Sequence, residues 1–437
     1  MAINLLDGRG FSMSNAEPFL PNVLRTPAYP LFIAGIYRLL GRNPSNVVAV
    51  QGLVDVTTCL VLWVLIHRLT KSQASASIAS FIYAINPTAW YFANTLLTET
   101  LLAHVITWLG LIFIQMTDET KSQQIKIKSS ISIGLLCGLA ALIKPNALLT
   151  PMLVILCLAK CKPAWRLWLT QAGMVVALWS LPLCLWSVRN WGLVGRPIFS
   201  SAFTDNINHI SAVATLVHAR HKTTYPFSPL WEKTFGEMIV ETAWRYNWSP
   251  TPPSSASAEY ERLEQVNIIA REIIQKHPVD FALSHLEGFL HSWMPEEYVR
   301  WHKILSGQDR TYSDTLTTQV WDLVRQGEFG QALAAARQGH TFGQMLLAFA
   351  LWLGWVSVYI FGGVLLVKGS WRLKNSAFTL LVWGCLLYLT FLPGPISDLR
   401  FRFPMVPLLN GVMAVGIITL TQKPQCSDLR PVTSTSP

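Results

Sequence analysis

Residues 47–69 read VVAVQGLVDVTTCLVLWVLIHRL, and this almost unbroken apolar run decides the fold class. A helix rises about 1.5 Å per residue, so about 20 apolar residues cross the hydrocarbon core of a bilayer. Asp55 is the single acidic residue in the run, and basic side chains enter only near its C-terminal end. The stretch therefore predicts a transmembrane helix.

Eight further segments show the same apolar character. They lie at residues 75–93, 96–116, 131–144, 146–161, 167–188, 343–367, 376–392 and 404–421. Lys144 and Pro145 interrupt the chain between two of them, which form either two short spans or one broken helix. Only 13% of all residues are charged, against roughly 25% in an average soluble domain. The composition predicts a mainly α, polytopic helical membrane protein.

The net charge of +10 does not indicate a nucleic-acid partner, because no basic cluster with interleaved aromatic residues occurs. The basic residues lie instead in short loops between apolar segments. These loops are residues 67–73, 121–128 (Lys121, Lys126, Lys128), 160–166 (Lys160, Lys162, Arg166) and 368–374 (Lys368, Arg372, Lys374). By the positive-inside rule the four loops face the cytoplasm.

Successive spans place the loops between them on alternate sides of the membrane, which gives the domain organisation. Residues 1–46 form an outer loop, 47–188 an N-terminal transmembrane bundle, and 189–342 an extracytoplasmic, largely helical domain with helices near 258–276 and 279–293. Residues 343–421 form the C-terminal transmembrane helices and 422–437 a cytoplasmic tail. The loop 393–402 lies on the outer side.

Cysteine and histidine residues point to neither a disulfide framework nor a metal. None of the seven cysteines lies in 189–342, so no disulfides are expected in that domain. Cys157 and Cys161 have helical i, i+4 spacing, and we interpret both as reduced structural thiols. His218 and His221 have a spacing that suits zinc, but no further ligand accompanies them, which favours ordinary histidines.

Several basic residues lie on the outer side, against the topological preference. Arg25 stands in VLRTPAYPLF (residues 23–32), where two prolines keep the backbone extended. Arg189, Arg400 and Arg402 adjoin membrane segments, and Lys144 lies at the interrupted segment. An arginine at such a position either snorkels to lipid headgroups or binds an anionic ligand. Several on one side favour a phosphate site.

Two acidic residues accompany this basic group. Glu99, in NTLLTETLLAHV, lies at the outer start of a span, where it either satisfies the helix dipole or serves chemistry. Beside a phosphate site, a carboxylate activates an acceptor hydroxyl or orients a metal. Asp55 lies inside its span, where we interpret it as either a functional group or a buried helix–helix partner of Gln51 or Thr58.

Six stretches resemble, in their order along the chain, bacterial family 39-like glycosyltransferases of the GT-C superfamily. They are LLDGRGFS…RTPAYPLFIAGIYRLLG, LLTETL, GLLCGLAALIKPNALL, SVRNWGLVGRP, AREIIQKHPVDF…FLHSWMP and RFRFPMVPLL. The superfamily includes the protein O-mannosyltransferases and the aminoarabinose transferase of lipid A. The resemblance implies an inverting transferase in the bacterial plasma membrane that uses a polyprenyl-phosphate-linked sugar on the outer face.

The resemblance also implies roles for individual residues. Arg25 matches a basic residue expected near the donor phosphate, and Arg400 and Arg402 match basic positions before the last span. Glu99 matches the acidic residue at the outer start of its span. In the family the principal catalytic acid lies just upstream of the segment resembling AINLLDGRGFS, so we expect one more helix and that acid before residue 1. Asp7 falls where the family is variable and is not a candidate.

Partners and alternatives follow from these assignments. The expected partners are a polyprenyl-phosphate sugar donor, membrane lipids, and a lipid, glycan or protein acceptor. No cofactor is required, although a divalent metal beside Glu99 stays open. A transporter or flippase of lipid-linked sugars needs the same basic residues but usually carries an internal repeat, and none is found. A catalytically inactive binder of the lipid-linked sugar is the other alternative.

Overall fold

The computed structural model describes residues 1–161, 163–222, 229–293, 323, 327–337, 342–373 and 376–421. Within these ranges the chain is helical, and the only β-type pairing is one antiparallel bridge between Ser12 and Pro21. The predicted tail 422–437, Lys162 and Lys374 lie outside the described residues, as does most of 294–341.

The α-helices run in the following order. They are α1 (Ala2–Leu6), α2 (Ala28–Leu40), α3 (Pro44–Thr70), α4 (Gln73–Ala84), α5 (Pro87–Ala93), α6 (Glu99–Thr117), α7 (Gln123–Ile143), α8 (Thr150–Ala159), α9 (Trp165–Val194), α10 (Ser201–Asp205), α11 (Ser211–His221), α12 (Pro229–Arg245), α13 (Ala256–Lys276), α14 (Pro278–His291), α15 (Phe329–Arg337), α16 (Phe342–Arg372), α17 (Ala377–Phe391), α18 (Leu399–Arg402) and α19 (Val406–Thr421). Short 3-10 turns lie at Pro145–Ala147, Gly394–Ile396 and Phe403–Met405, and a π-helical turn at Asn206–Ile210.

Six stretches of helix are long and apolar enough to cross a membrane. Among the described residues they are Pro44–Thr70, Glu99–Thr117, Gln123–Ile143, Trp165–Val194, Phe349–Arg372 and Leu399–Thr421. Each contains or overlaps one of the nine predicted segments. The protein is an integral, multi-pass, helical membrane protein, as its composition predicts.

Two predicted segments take a different form. Residues 75–93 do not form one helix, because the chain breaks between α4 and α5 at Asn86 and Pro87. The Asn86 side chain accepts from the Thr88 backbone N–H and caps α5. Residues 131–161 form two helices, α7 and the 10-residue α8, separated at Lys144, whose backbone is extended. The proline after each break explains it, because proline disfavours helix in the residue before it.

The start of α7 and the whole of α2 also depart from the predictions. Residues 121–128 are not a loop throughout. Ser122 caps α7 by accepting from the Ile125 N–H, so Lys126 and Lys128 lie in its first turns. Helix α2 is 13 residues long, too short to register in a window of about 20 residues.

The ends of these helices define the location of the site. Helices α3 and α6 begin, and α7 and α17 end, near three connecting segments, residues 94–98, 144–149 and 392–398. Thr26 contacts the end of α7, and the Leu149 N–H donates to the Tyr388 hydroxyl of α17. We call this region the site end. The predicted basic loops lie at the opposite end.

Helices α11–α14 form a polar domain at the site end, with a core of its own. Its buried apolar residues are Ala212, Val213, Ala214, Val217, Trp231, Met238, Val266, Ile269 and Ala270. Predicted helices 258–276 and 279–293 are confirmed as α13 and α14. Helix α14 rests on the Gly394–Ile396 turn: a Cβ on Gly288 would overlap the Gly394 carbonyl, so only glycine permits this approach.

Candidate functional site

Glu99 and Lys144 form a nearly buried ion pair at the site end. Glu99 is the first residue of α6, and Lys144 follows the last residue of α7. Lys144 Nζ donates to Glu99 Oε1 at 3.0 Å, and the two side chains are 14% and 3% exposed. The break at Lys144 therefore directs its ammonium onto the start of α6. Both residues were predicted from sequence, but not as partners.

The Phe401 ring joins this pair to Arg400. Lys144 Nζ lies 4.2 Å from the ring centroid and Arg400 Cζ lies 5.7 Å from it. The positive charge of Arg400 also acts on the Glu99 carboxylate. A ring that carries two cations on its π system holds both in place. Phe401 was not predicted, because an aromatic residue beside a span is ordinarily structural.

Asp398 fixes the position of Arg400. It caps α18 by accepting from the Arg400 backbone N–H at 2.8 Å, and its Oδ2 accepts from Arg400 Nε at 3.0 Å. The Arg400 side chain remains 36% exposed. Asp398 was missed from sequence, although an aspartate just before a helical segment is a typical N-cap.

Arg25 lies on a loop that packs against the end of α7. The Thr26 hydroxyl donates to the Ile143 carbonyl at 3.4 Å, next to Lys144. The Ser200 hydroxyl donates to the Leu24 carbonyl at 2.6 Å, which ties the same loop to the start of α10. The Arg25 side chain is exposed, and it forms no ion pair within the described ranges. An exposed guanidinium on a fixed loop suits an anionic ligand.

Arg402 points away from this group. It is 6% exposed and donates to the Tyr359 hydroxyl of α16. Residues two positions apart on a helix do not share a face, so Arg400 and Arg402 diverge. The structure brings Glu99, Lys144 and Arg400 together around Phe401 and sets the loop of Arg25 against the adjoining end of α7, whereas Arg402 pairs with α16.

Asp55 belongs to neither group. Its Oδ1 accepts from the Tyr83 hydroxyl of α4 at 2.6 Å. The partners predicted from sequence are therefore wrong. Thr58 pairs with His104 Nδ1 at 2.9 Å, and Gln51 makes contacts of its own. The helix–helix interpretation describes the contact that Asp55 makes, with α4 as the partner helix.

Gln51 holds the loop that leads to Glu99. Its amide donates to the carbonyls of Ala93 and Thr95 at 3.2 and 2.8 Å, and its Oε1 accepts from the Tyr29 hydroxyl at 2.7 Å. Thr98 donates to Glu99 Oε2 at 3.3 Å. These contacts position Glu99 and the loop before it, and the contacts of Gln51 were not predicted because they join residues far apart in sequence.

The described residues contain no group of three or more His, Cys, Asp or Glu side chains that suits a metal ion. Both Glu99 oxygens already accept hydrogen bonds, from Lys144 and Thr98. The two cations beside this carboxylate, Lys144 and Arg400, suit a phosphate group.

His218 is a hydrogen-bonded histidine, in agreement with the interpretation that the sequence favoured. His218 Nδ1 donates to Asp280 Oδ1 at 2.8 Å, which joins α11 to α14. Lys222 Nζ lies 3.3 Å from the same oxygen. The hydrogen bond from His218, followed by the Lys222 charge, lowers the pKa of Asp280 below its ordinary value. The contact is structural and lies within the polar domain.

One family model matches part of the chain. Residues 24–187 match the family model described as dolichyl-phosphate-mannose-protein mannosyltransferase. The matched part includes Arg25, Glu99 and Lys144. Over this stretch the chain is similar to that family, in agreement with the resemblance predicted from the sequence.

Two solved structures are similar at low identity. ArnT from Cupriavidus metallidurans bound to undecaprenyl phosphate has 13% identity and a TM-score of 0.36, covering 92% of this chain and 68% of that one. ArnT from the same organism in the apo state has 12% identity and a TM-score of 0.36, covering 91% and 67%. A search of curated protein sequences finds no match.

Proposed function

We propose that this chain, whose residues 24–187 match the dolichyl-phosphate-mannose-protein mannosyltransferase family, moves a sugar from a polyprenyl-phosphate donor to an acceptor hydroxyl on the outer face of the membrane. The observation that carries the proposal is the meeting of Glu99, Lys144 and Arg400 around Phe401, with Arg25 on the adjoining loop.

The reaction needs stabilisation of the leaving group. The acceptor oxygen bonds to C1 of the sugar while the bond from C1 to the phosphate oxygen breaks. The acceptor proton passes to water at the outer surface of the membrane, and the bonding electron pair leaves with the polyprenyl phosphate. Attack opposite the phosphate inverts C1. Arg25 and Arg400 supply the positive charge that this leaving phosphate requires.

Lys144 and Glu99 differ in role from the two arginines. The Glu99 carboxylate, 3.0 Å from Lys144 Nζ, balances the positive charge of Lys144. Lys144 therefore adds no net positive charge to the phosphate site by itself, and acts there together with Glu99. Glu99 is the catalytic carboxylate that we propose within the described site. Because both of its oxygens accept hydrogen bonds, it orients Lys144 and the acceptor side more readily than it takes a proton. Arg402 pairs with Tyr359 of α16 and has no part in the proposed phosphate site.

The outer location rests on charge distribution. The basic loops around residues 67–73 and 121–128 lie at the end of the bundle opposite to Glu99 and Lys144. If these loops face the cytoplasm, as the positive-inside rule requires, the site end faces outward.

The test is sugar transfer by the bilayer-reconstituted protein from a panel of polyprenyl-phosphate sugars. Arg25→Ala and Arg400→Ala are each expected to weaken donor binding by about tenfold or more, because each removes a charge-assisted contact. Arg68→Ala is the matched control, since Arg68 is an exposed arginine at the opposite end.

Three outcomes are distinguishable. Unchanged donor binding in both variants overturns the phosphate assignment. Donor that crosses the bilayer without release of sugar favours the transporter alternative. Donor that binds with neither transfer nor crossing favours the inactive binder.

A further inference from the structure

Helix α14 has two faces of opposite character. Ser284, Gly288 and Ser292 are buried against the protein. On the opposite side Val279, Leu283, Leu286 and Leu290 are 42–68% exposed. These four residues follow i, i+4, i+7, i+11 spacing, so they form one continuous apolar stripe. We call them the α14 stripe.

The stripe lies in the polar domain, where exposed leucines are not explained by a transmembrane position. A soluble surface rarely carries such a row, and exposed apolar patches mark interaction sites. The neighbouring helix α13 begins with several polar and charged residues, as a water-facing helix does. The α14 stripe therefore needs an apolar partner.

Contacts of α14 place it at the edge of the bilayer. The Phe289 ring lies 5.9 Å from the Phe391 ring, and the His285 ring 6.3 Å from it. Phe391 is the last residue of α17, and the Gly394–Ile396 turn follows under Gly288. Helix α14 thus packs on the site end of an apolar helix, at the depth where hydrocarbon meets headgroups.

The exposed apolar surface of α17 adjoins α14. Leu387 and Phe391 of α17 are 48% and 54% exposed, as expected for side chains that face lipid. Phe391 contacts α14 directly. Exposed apolar side chains of α17 thus lie beside α14, and Phe391 joins the two helices through Phe289.

We propose that α14 is an interfacial helix whose stripe contacts the acyl chains of the leaflet at the site end. The occupant is lipid, and the attraction is apolar. The sequence PVDFALSHLEGFLH contains no lysine or arginine, so α14 carries no charge that selects anionic lipid. The helix anchors the polar domain to the membrane beside the turn that leads to Arg400.

The experiment measures the surroundings of single nitroxide labels in the full chain, reconstituted in phosphatidylcholine nanodiscs. Labels are attached through Val279→Cys, Leu283→Cys, Leu286→Cys and Leu290→Cys, in a background with Cys184 and Cys426 replaced by serine. Collisions with oxygen report lipid, and collisions with a nickel chelate report water. Leu387→Cys on α17 is the lipid control, and Gln275→Cys, an exposed site of α13, is the water control.

The four stripe sites are expected to show an oxygen-to-nickel ratio several-fold above that of Gln275→Cys and close to that of Leu387→Cys. The ratio is expected to stay the same when anionic lipid is added. Ratios like that of Gln275→Cys overturn the proposal, because the stripe then faces water.

Low collision rates with both reagents also overturn it, because protein then covers the stripe. Dilution with unlabelled protein then distinguishes the two kinds of protein that could cover the stripe. Loss of dipolar broadening between labels indicates a second copy of the chain. No change in the broadening indicates another segment of the same chain. A ratio that rises only with anionic lipid overturns the apolar basis of the contact.

Discussion

Lys144 Nζ donates to Glu99 Oε1 at 3.0 Å across 45 positions of sequence, and both side chains are nearly excluded from water. Such a pair is costly to split, because the remaining charge has no water to solvate it. The pair therefore fixes the end of α7 against the start of α6 at the centre of the proposed site.

Lys144→Met should lower the free energy of unfolding, because it breaks the ion pair with Glu99. Removing one partner of a buried pair costs about 3–5 kcal/mol, since Glu99 is left charged and unpaired. The double variant with Glu99→Gln is expected to be more stable than Lys144→Met alone. Denaturant unfolding in mixed micelles measures both free energies, with Lys128→Met, an exposed site on α7, as control. Equal loss in the single and double variants would show that the pair is not coupled.

Tyr83→Phe and Asp55→Asn test whether Asp55 has a structural role or a direct role in sugar transfer. Tyr83→Phe removes the hydroxyl that donates to Asp55 and leaves a buried carboxylate without that donor, at a cost of about 1–3 kcal/mol. Asp55→Asn keeps an acceptor for Tyr83 and should cost less. Transfer activity per folded molecule is expected to remain unchanged in both. Loss of activity in stably folded Asp55→Asn would instead give Asp55 a direct role.

Gly369→Ala tests the contact between α16 and α19. A Cβ at Gly369 would overlap the Val412 carbonyl, so the helices must separate. Overpacking of this kind costs about 1–3 kcal/mol. Gly363→Ala on the same helix has nothing within 4 Å and is the matched control. Unfolding curves should show a lower midpoint for Gly369→Ala only, and a shift of equal size in the control would refute the close approach.

The His218–Asp280 contact predicts a pH dependence of the polar domain. Because the folded-state pKa of Asp280 lies below the unfolded value, the contact stabilises above about pH 4 and is lost as pH falls through the folded pKa. Hydrogen exchange in α11 and α14 should therefore stay slow down to about pH 4 and accelerate below it.

Asp280→Asn should accelerate that exchange already at neutral pH and remove its acid-dependent part. Glu259→Gln, an exposed carboxyl of α13, serves as the matched control and should leave the profile unchanged. An identical acid profile in wild type and Asp280→Asn would assign the transition to other carboxyls.

The sequence predicts the spans better than their interruptions. Hydropathy over about 20 residues identifies the six long helices, because bilayer thickness sets their length. It cannot register α2, and it merges α4 with α5 although Asn86-Pro87 is a turn signal. The long-range partners of Glu99 and Asp55 depend on helix packing, which no local pattern encodes.

The site was predicted as a set of charges on one side, without their pairing. Alternation of spans places Arg25, Glu99, Lys144 and Arg400 at the same end, and the structure brings the last three together with the loop of Arg25 beside them. Arg402 was grouped with Arg400 by proximity in sequence, whereas helical geometry separates them. Phe401 was missed because its role arises only where two cations meet its ring.

The contact of Gly288 with Gly394 has a mechanical consequence. Two backbones meet there without side chains between them, so no rotamer change can absorb a displacement of α14. Four residues after Gly394, Asp398 caps the helix that carries Arg400. A displacement of α14 should therefore shift the Gly394–Ile396 turn directly. Through the short segment that follows, it should also shift the Arg400 guanidinium.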